Sequence, residues 1–321
     1  MAIALFTADI HIKIGQKSVP REWARNRYDV LFHEISRVKH KYGVDYEIHG
    51  GDIFDKLPSL EELSIYMKYV SNQLNPIYLF DGNHEATRKG ETFLDLTKDM
   101  LTSLPPNITL FTDYYDGSHE FPFNVLPYCK LKDFEKNGWG GEFIAPALLT
   151  HVRGEIPPHV QPEVDLSIFK QWKVVFAGDL HSHSNTQRNI VYPGSPVTTS
   201  FHRTETKTGV LIIDDSDYSW EWVELEVPQL IRKTVSNEEE MVETEFHHTV
   251  YELEGDAIDL SKVNKENPLL DKKIVRHQTD STLKLEGLSI EEELALYLKE
   301  VRAFDEEKIK QAMKVYHDYV T

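Results

Sequence analysis

YEIHGGDIFD, residues 46–55, is a short β-rich run that breaks on two glycines and hands over at once to Asp52 and Asp55. A strand that ends this way places carboxylates at the edge where the strands of an α/β sheet meet loops, which is where such sheets build their sites. The pattern repeats four times: IALFTADIH (3–11), PIYLFDGNHE (76–85), PALLTH (146–151) and KVVFAGDLHSH (173–183). Each apolar run is followed by a carboxylate, an imidazole or an amide. Five strand ends can therefore converge on one cleft, and they bring Asp9, His11, Asp52, Asn83, His84, His151, Asp179, His181 and His183 with them.

Carboxylate oxygen, amide oxygen and imidazole nitrogen hold hard or borderline divalent cations, and a carboxylate can bridge two ions about 3.5–4 Å apart. Taken singly, an Asp at a strand end is a turn residue or a helix cap, and a His is a satisfied polar group. Independent turn residues have no reason to combine Asp-x-His, Gly-Asp-x-x-Asp, Gly-Asn-His-Glu and a late His-x-His in one order. The set supplies enough ligands for two ions.

These blocks, DIH (9–11), GDIFD (51–55), GNHE (82–85), TH (150–151) and GDLHSH (178–183), resemble those of calcineurin-like metallophosphoesterases. Within that superfamily the chain resembles the SbcD-type nucleases, bacterial and phage relatives of the nuclease subunit of the eukaryotic double-strand-break repair complex. NVLPY (124–128), VYPGSPVTTSF (191–201) and TGVLIID (208–214) point the same way. The resemblance covers roughly residues 1–230. It implies an α/β fold, a β-sandwich flanked by helices, with a smaller C-terminal α+β capping domain.

It also implies a ligand set: Asp9, His11 and His181 on one ion, Asn83, His151 and Asp179 on the second, and Asp52 bridging. His84 takes the family's non-ligand histidine position, suited to giving a proton to the departing 3′ oxygen. The oxygen-rich set favours Mn²⁺ or Mg²⁺ over zinc. The family's last block usually reads Gly-His-x-His, so two registers are open. Alignment on Gly178 makes Asp179 and His181 the pair, and a slide of two makes it His181 and His183. The first is favoured because Asp179 falls directly at a strand end. His183 then faces substrate or supports a ligand, and Asp55 orients one. Implied partners are DNA, an SbcC-type coiled-coil ATPase and a second copy of the chain, acting in double-strand-break repair, recombination or end processing. Gly-Asn-His-Glu also occurs in phosphoprotein phosphatases, but those place arginines where this chain has Asp81 and Leu57. Nucleotide and cyclic-nucleotide phosphodiesterases are the other alternative.

The 321 residues carry a formal net charge of −18, which excludes a protein that coats DNA through a broad basic surface. Bound divalent ions reverse the field locally, and a partner has to supply the remaining positive charge. The single Cys129 excludes an internal disulfide and a cysteine-based zinc site, and is expected to be a buried structural thiol. No apolar stretch approaches the ~20 residues of a membrane span, and no secretory leader is read at Met1. A cytoplasmic location is expected.

The first half predicts alternating strands and helices. Strand 3–8 is followed by a helix from about Arg21 with Tyr28, Leu31, Ile35 and Val38 on one face, and Pro20 suits its start. Strand 46–49 leads to a helix opened by the Ser59/Glu62 capping pair, with Leu63, Met67, Val70 and Leu74 as its inward stripe. Ile65, Tyr66 and Tyr69 widen that apolar surface, to be covered by the core or by a second copy. NGWGGEF (137–143) predicts a loop beside the cleft with Trp139 as its anchor or as a stacking platform. A nuclease domain over 1–230, a capping domain over 231–286 and a helical pair over 287–321 complete the expectation. The pair comprises Ser289–Val301, with Ile290, Leu294, Tyr297, Leu298 and Val301 apolar, and Asp305–Tyr319, with Ile309, Ala312, Met313, Tyr316 and Val320.

Overall fold

The computed structural model describes residues 1–86, 92–103, 108–140, 145–264, 267–275 and 287–320. The chain runs β1 (Ile3–Thr7), α1 (Arg21–Tyr42), β2 (Tyr46–Gly50), α2 (Leu60–Val70), β3 (Ile77–Phe80), α3 (Phe93–Ser103) and β4 (Ile108–Phe111), with β1 to β4 parallel neighbours in order. There follow β5 (Asn124–Leu126), α4 (Leu131–Asn137), β6 (Ala147–His151), β7 (Val174–Gly178) and β8 (Ile190–Val191), a second, four-stranded parallel sheet. The chain then returns through β9 (Gly209–Asp214) and β10 (Trp220–Glu224), which extend the first sheet to six strands in the order β10-β9-β1-β2-β3-β4.

The two sheets face each other. Phe6, Ala8, Ile48 and Phe80 of the first sheet form one buried cluster with Val125, Leu149 and Phe176 of the second. Outside the first sheet α1 packs Tyr28, Leu31, Ile35 and Val38 against Leu5, Leu79 and Val210, the face the sequence predicts. Outside the second, Leu131 and Phe134 of α4 meet Leu148, Val175 and Trp172. This is a helix–sheet–sheet–helix sandwich in which the first sheet is mixed, β9 and β10 being antiparallel, and the parallel strands of both sheets are covered on both faces, as such strands require.

The inward face of α2 differs from its predicted stripe. The Ser59/Glu62 capping box is present, but Tyr66, Tyr69 and Val70 are the buried apolar residues, Leu63 and Met67 are half-buried, and Leu74 is 95% exposed beyond the helix end. The cause lies on β2, whose alternation puts Glu47 and His49 on the outer face of the sheet. Buried polar atoms need partners. Tyr69 Oη donates to Glu47 Oε2 at 2.5 Å, Tyr66 Oη lies 2.8 Å from His49 Nδ1, and Lys39 Nζ of α1 bonds Glu47 and Gln73. Apolar periodicity alone does not see this demand. Tyr69→Phe is expected to cost about 1–3 kcal/mol in urea unfolding, because it removes a hydrogen bond from a carboxylate with no access to water; a change below about 0.5 kcal/mol would show that the network contributes nothing there.

Trp139 is a loop anchor: its indole donates to Asp116 Oδ1 at 2.6 Å and packs among Tyr114, Phe134 and Trp172. Residues 141–143 of that loop lie outside the described residues. The Cys129 thiol is half-buried with Sγ 3.9 Å from Thr112 O, and burial followed by the nearby Asp81 carboxylate pushes it up to about 12.

A third sheet holds β11 (Leu230–Val235), β12 (His248–Gly255) and β13 (Leu270–Val275), with the short α5 (Ala257–Lys262) between the last two. Two compact units emerge: 1–254 with 263–273, and 255–262 with 274–321. The second contains α6 (Ile290–Glu300), opened by a Ser289/Glu292 capping box, and α7 (Glu306–Val320). Leu294, Leu298, Ile309, Ala312, Met313 and Tyr316 are half-buried, whereas Ile290, Tyr297 and Val301, apolar positions of the same predicted helix, are exposed. The Val320 side chain is outside the described residues. Among the described residues no helix is long and apolar enough to cross a membrane.

Candidate metal centre

The loops after β1 and β2 run side by side. Asp9 N donates to Gly51 O at 3.1 Å and His11 N to Asp52 O at 2.9 Å, so both carboxylates and His11 are set by one local ladder. The loop after β3 is tied to them by Glu85, a fully buried carboxylate that accepts from Asp52 N (2.7 Å), Gly82 N (2.8 Å) and Phe54 N (3.1 Å). From the second sheet, His151 is the last residue of β6, and Asp179, just beyond β7, donates its N–H to the Asp9 carboxylate at 3.1 Å. Close approach demands glycine twice: a Cβ on Gly82 would lie 2.2 Å from Asp52 Oδ1, and one on Gly178 would lie 2.5 Å from His151 Nδ1.

Asp52 Oδ2 sits in the middle, 3.5 Å from His151 Nε2, 3.6 Å from His11 Nε2 and 3.9 Å from His84 Nε2. On one side, Asp9 Oδ1 lies 3.9 Å from both His11 Nε2 and His181 Nε2, and those two nitrogens face each other at 3.1 Å. On the other, the Asn83 amide is 2.9 Å from His151 Nε2 and 3.2 Å from one oxygen each of Asp52 and Asp179. All seven candidate ligands are thus brought together around one carboxylate. The outer ring nitrogens are engaged: His151 Nδ1 bonds Gly50 O (2.9 Å) and His181 Nδ1 lies 3.1 Å from Thr199 Oγ1, which turns each Nε2 inward.

His84 is partly exposed; its backbone N–H donates to Asp52 Oδ1 (2.8 Å) and its Nδ1 bonds the backbone carbonyl of Asp55 (2.6 Å), leaving Nε2 toward the cleft. The Asp55 carboxylate pairs with Lys13 Nζ at 2.8 Å and lies 3.9 Å from His11 Nδ1. His183 belongs to a short 3-10 turn, bonds Tyr192 O through Nδ1 (2.6 Å) and stacks on Trp222, with ring centroids 5.4 Å apart. Beside His181 and His183 opens a cavity of about 690 Å³ with Thr198, Thr199, His202, Lys207 and Trp222 in its wall.

Burial raises the Asp9 carboxyl well above its usual range, and burial followed by the Asp52 charge lifts Glu85 to about 8. Burial also drives His11 down to about 2 and His181 downward. For His151, burial opposes the charged form, but the carboxylates of Asp52, Asp9 and Asp179 outweigh it and hold the imidazole up to about 9. A dry cluster of carboxylates beside imidazole nitrogens that face one another is a poor arrangement for protons and a good one for cations. Three Asp/His groups, Asp9–His11–His181, His11–Asp52–His84 and Asp9–Asp52–His151, each bring ligand atoms within 4.8 Å of one another. The donor set fits hard divalent ions.

Two residues escape sequence reasoning. Glu85 closes the quoted GNHE block without having been given a role, and Arg153, two residues after His151, grips Asp179. Nothing in the sequence signals the second.

A two-sheet sandwich with its candidate ligands at and just beyond the ends of the parallel strands, three histidines around a central carboxylate, defines the class. The chain belongs to the calcineurin-like phosphoesterase family, whose profile matches residues 4–159. It is a metal-dependent phosphoesterase. The probable exonuclease subunit 1 of Escherichia phage T5 is 38% identical over 326 residues, which span 98% of each protein. Two solved structures align more loosely. TT1561 of Thermus thermophilus is 11% identical with a TM-score of 0.41, covering 70% of this chain and 98% of that one. Pseudomonas putida nuclease MPE is 14% identical with a TM-score of 0.30, covering 67% and 85%.

Proposed function

We propose that the chain is a two-metal DNA nuclease that hydrolyses phosphodiester bonds at DNA ends, in double-strand-break repair or recombination. The observation that carries the reading is the convergence of three histidines on Asp52 Oδ2, together with full-length similarity to a protein named as an exonuclease subunit. Asp9, His11 and His181 would hold one ion, Asn83, His151 and Asp179 the other, and Asp52 both. When bound, Mn²⁺ or Mg²⁺ supplies Lewis acidity and a water made nucleophilic near neutrality. The chain supplies the rest: Gly50 and Thr199 orient the ligand imidazoles, Glu85 holds the Asp52 backbone in place, and His84 Nε2 is positioned to protonate the leaving 3′ oxygen. His183 and the cavity beside it would face the strand.

The residue ranges 1–230, 231–286 and 287–321 are proposed as nuclease, capping and docking regions. A net charge of −18 calls for a basic partner on DNA, and an SbcC-type coiled-coil ATPase is proposed. Exposed Ile290, Tyr297 and Val301 on and after α6 suit such a contact, and exposed Leu57, Leu60 and Leu74 around α2 suit a second copy. A cytoplasmic location is part of the same proposal.

The test is hydrolysis of 3′-labelled single- and double-stranded DNA, para-nitrophenyl phosphate, a phosphopeptide and cyclic nucleotides with Mn²⁺, Mg²⁺ or chelator. Mn²⁺-dependent release of nucleotides from DNA, lost on chelation, is expected. Faster turnover of the phosphopeptide or the cyclic nucleotide than of DNA would replace the nuclease reading with another phosphoesterase.

A further inference from the structure

We propose that Arg153 is the phosphate-binding cation of this centre, held at its rim by Asp179 until a phosphodiester takes the carboxylate's place. The inference rests on the two-metal nuclease reading and adds to it a substrate contact. Arg153 Nε donates to Asp179 Oδ2 and Nη2 to Asp179 Oδ1, each at 3.2 Å, so the whole guanidinium fork is engaged in two parallel bonds. The two free oxygens of a phosphodiester share one negative charge at a spacing similar to that of a carboxylate, so a fork that fits one can take the other.

The surroundings say which partner is temporary. Asp179 Oδ1, the oxygen that Nη2 meets, also lies 3.2 Å from the Asn83 amide, on the side of His151. One oxygen therefore serves both the guanidinium and the ligand group proposed for the second ion. A cation held between Asn83 and His151 competes with Arg153 for it. The Arg153 side chain is 41% exposed against 6% for Asp179, so the freed fork turns toward solvent at the mouth of the cleft and not into the core. Its backbone stays fixed, since Arg153 N donates to Glu163 Oε1 at 3.1 Å and a Cβ on Gly154 would strike Leu180 and Tyr192.

Charge points the same way. Asp9, Asp52 and Asp179 crowd the centre, and among the described residues Arg153 is the one lysine or arginine bonded to any of them. Lys13, the nearest alternative, is committed to Asp55. A phosphodiester entering a chain this acidic needs a cation beside the ions, and Arg153 is placed to be it.

Arg153→Gln and Arg153→Lys in the full chain provide the test, with three readouts: calorimetric Mn²⁺ titration without DNA, binding of inorganic phosphate to the Mn²⁺-loaded protein, and KM and kcat on a short single-stranded oligonucleotide. For Arg153→Gln we expect Mn²⁺ to bind as tightly as in the unaltered chain or more tightly, phosphate affinity to fall about tenfold or more, and KM to rise in parallel; losing a charge-assisted bidentate contact accounts for that size. Arg153→Lys should recover part of both. Phosphate affinity and KM within twofold of the unaltered chain would overturn the proposal. So would weaker Mn²⁺ binding with unchanged phosphate affinity, the mark of a residue that only orients Asp179. If Arg153→Gln fails to fold, Arg153→Lys decides alone, with a KM rise of at least threefold expected and an unchanged KM against it. An unaltered chain that neither binds Mn²⁺ nor cuts DNA would instead fail the nuclease reading itself and take this inference with it.

Discussion

Asp52→Ala is expected to lower DNA hydrolysis by on the order of 10³-fold or more and to abolish paired Mn²⁺ binding in calorimetry, because each cation it would hold matches or exceeds a preorganised oxyanion donor worth ~10²–10³. Oδ2 of this residue stands within 3.9 Å of three imidazole nitrogens. Asp52→Asn keeps the shape and the backbone bond to Glu85 but removes the negative charge and one of the two ligand oxygens, so it should fold normally and remain nearly as inactive. Two ions bound to Asp52→Ala with an unreduced rate would remove Asp52 from the centre of the mechanism.

His84→Gln is expected to lose about 10²–10⁴-fold in kcat, the usual worth of a positioned proton donor, while Mn²⁺ stoichiometry is preserved. The separation of the two effects follows from geometry. It is the backbone N–H of His84 that holds Asp52 Oδ1, and the substitution leaves it untouched. The imidazole, fixed through Nδ1 to the Asp55 carbonyl, offers only Nε2 to the cleft. A glutamine amide can keep the first bond but has no proton to give near neutrality. Loss of an ion in this variant, or a kcat within a factor of about three of the unaltered chain, would reassign His84 as a ligand or a bystander.

The strand ends were legible because each combines two signals: an apolar β-rich run and an abrupt change to glycine and ligand residues. β1 and β2 begin where the sequence places them, and the capping boxes at Ser59 and Ser289 are both formed. What stayed hidden depends on contacts between distant segments. The orientation of α2 is set by Glu47 and His49 on a neighbouring strand, so a stripe counted within the helix could not find it. Arg153 acquires its role only because β6 and β7 are parallel and in register, His151 beside Gly178, which carries Asp179 next to it.

Among the described residues eight besides glycine have positive φ, and four of them are Asp9 (57°), His11 (46°), Asp52 (52°) and Asp179 (100°). A left-handed backbone costs an ordinary L-residue roughly 1–2 kcal/mol, and Asp, Asn and His are the side chains that bear it most lightly. The cluster therefore sits under two independent selections. Coordination chemistry asks for oxygen and nitrogen donors there, and the Ramachandran map asks for nearly the same short list. In a lineage released from catalysis only the second would remain, and these positions would drift toward glycine or asparagine, shedding strain and like-charge repulsion at once. Such a decayed copy would keep the sandwich and unfold at a higher temperature than its metal-free active ancestor, a trade of activity for stability recorded at four positions on three neighbouring loops.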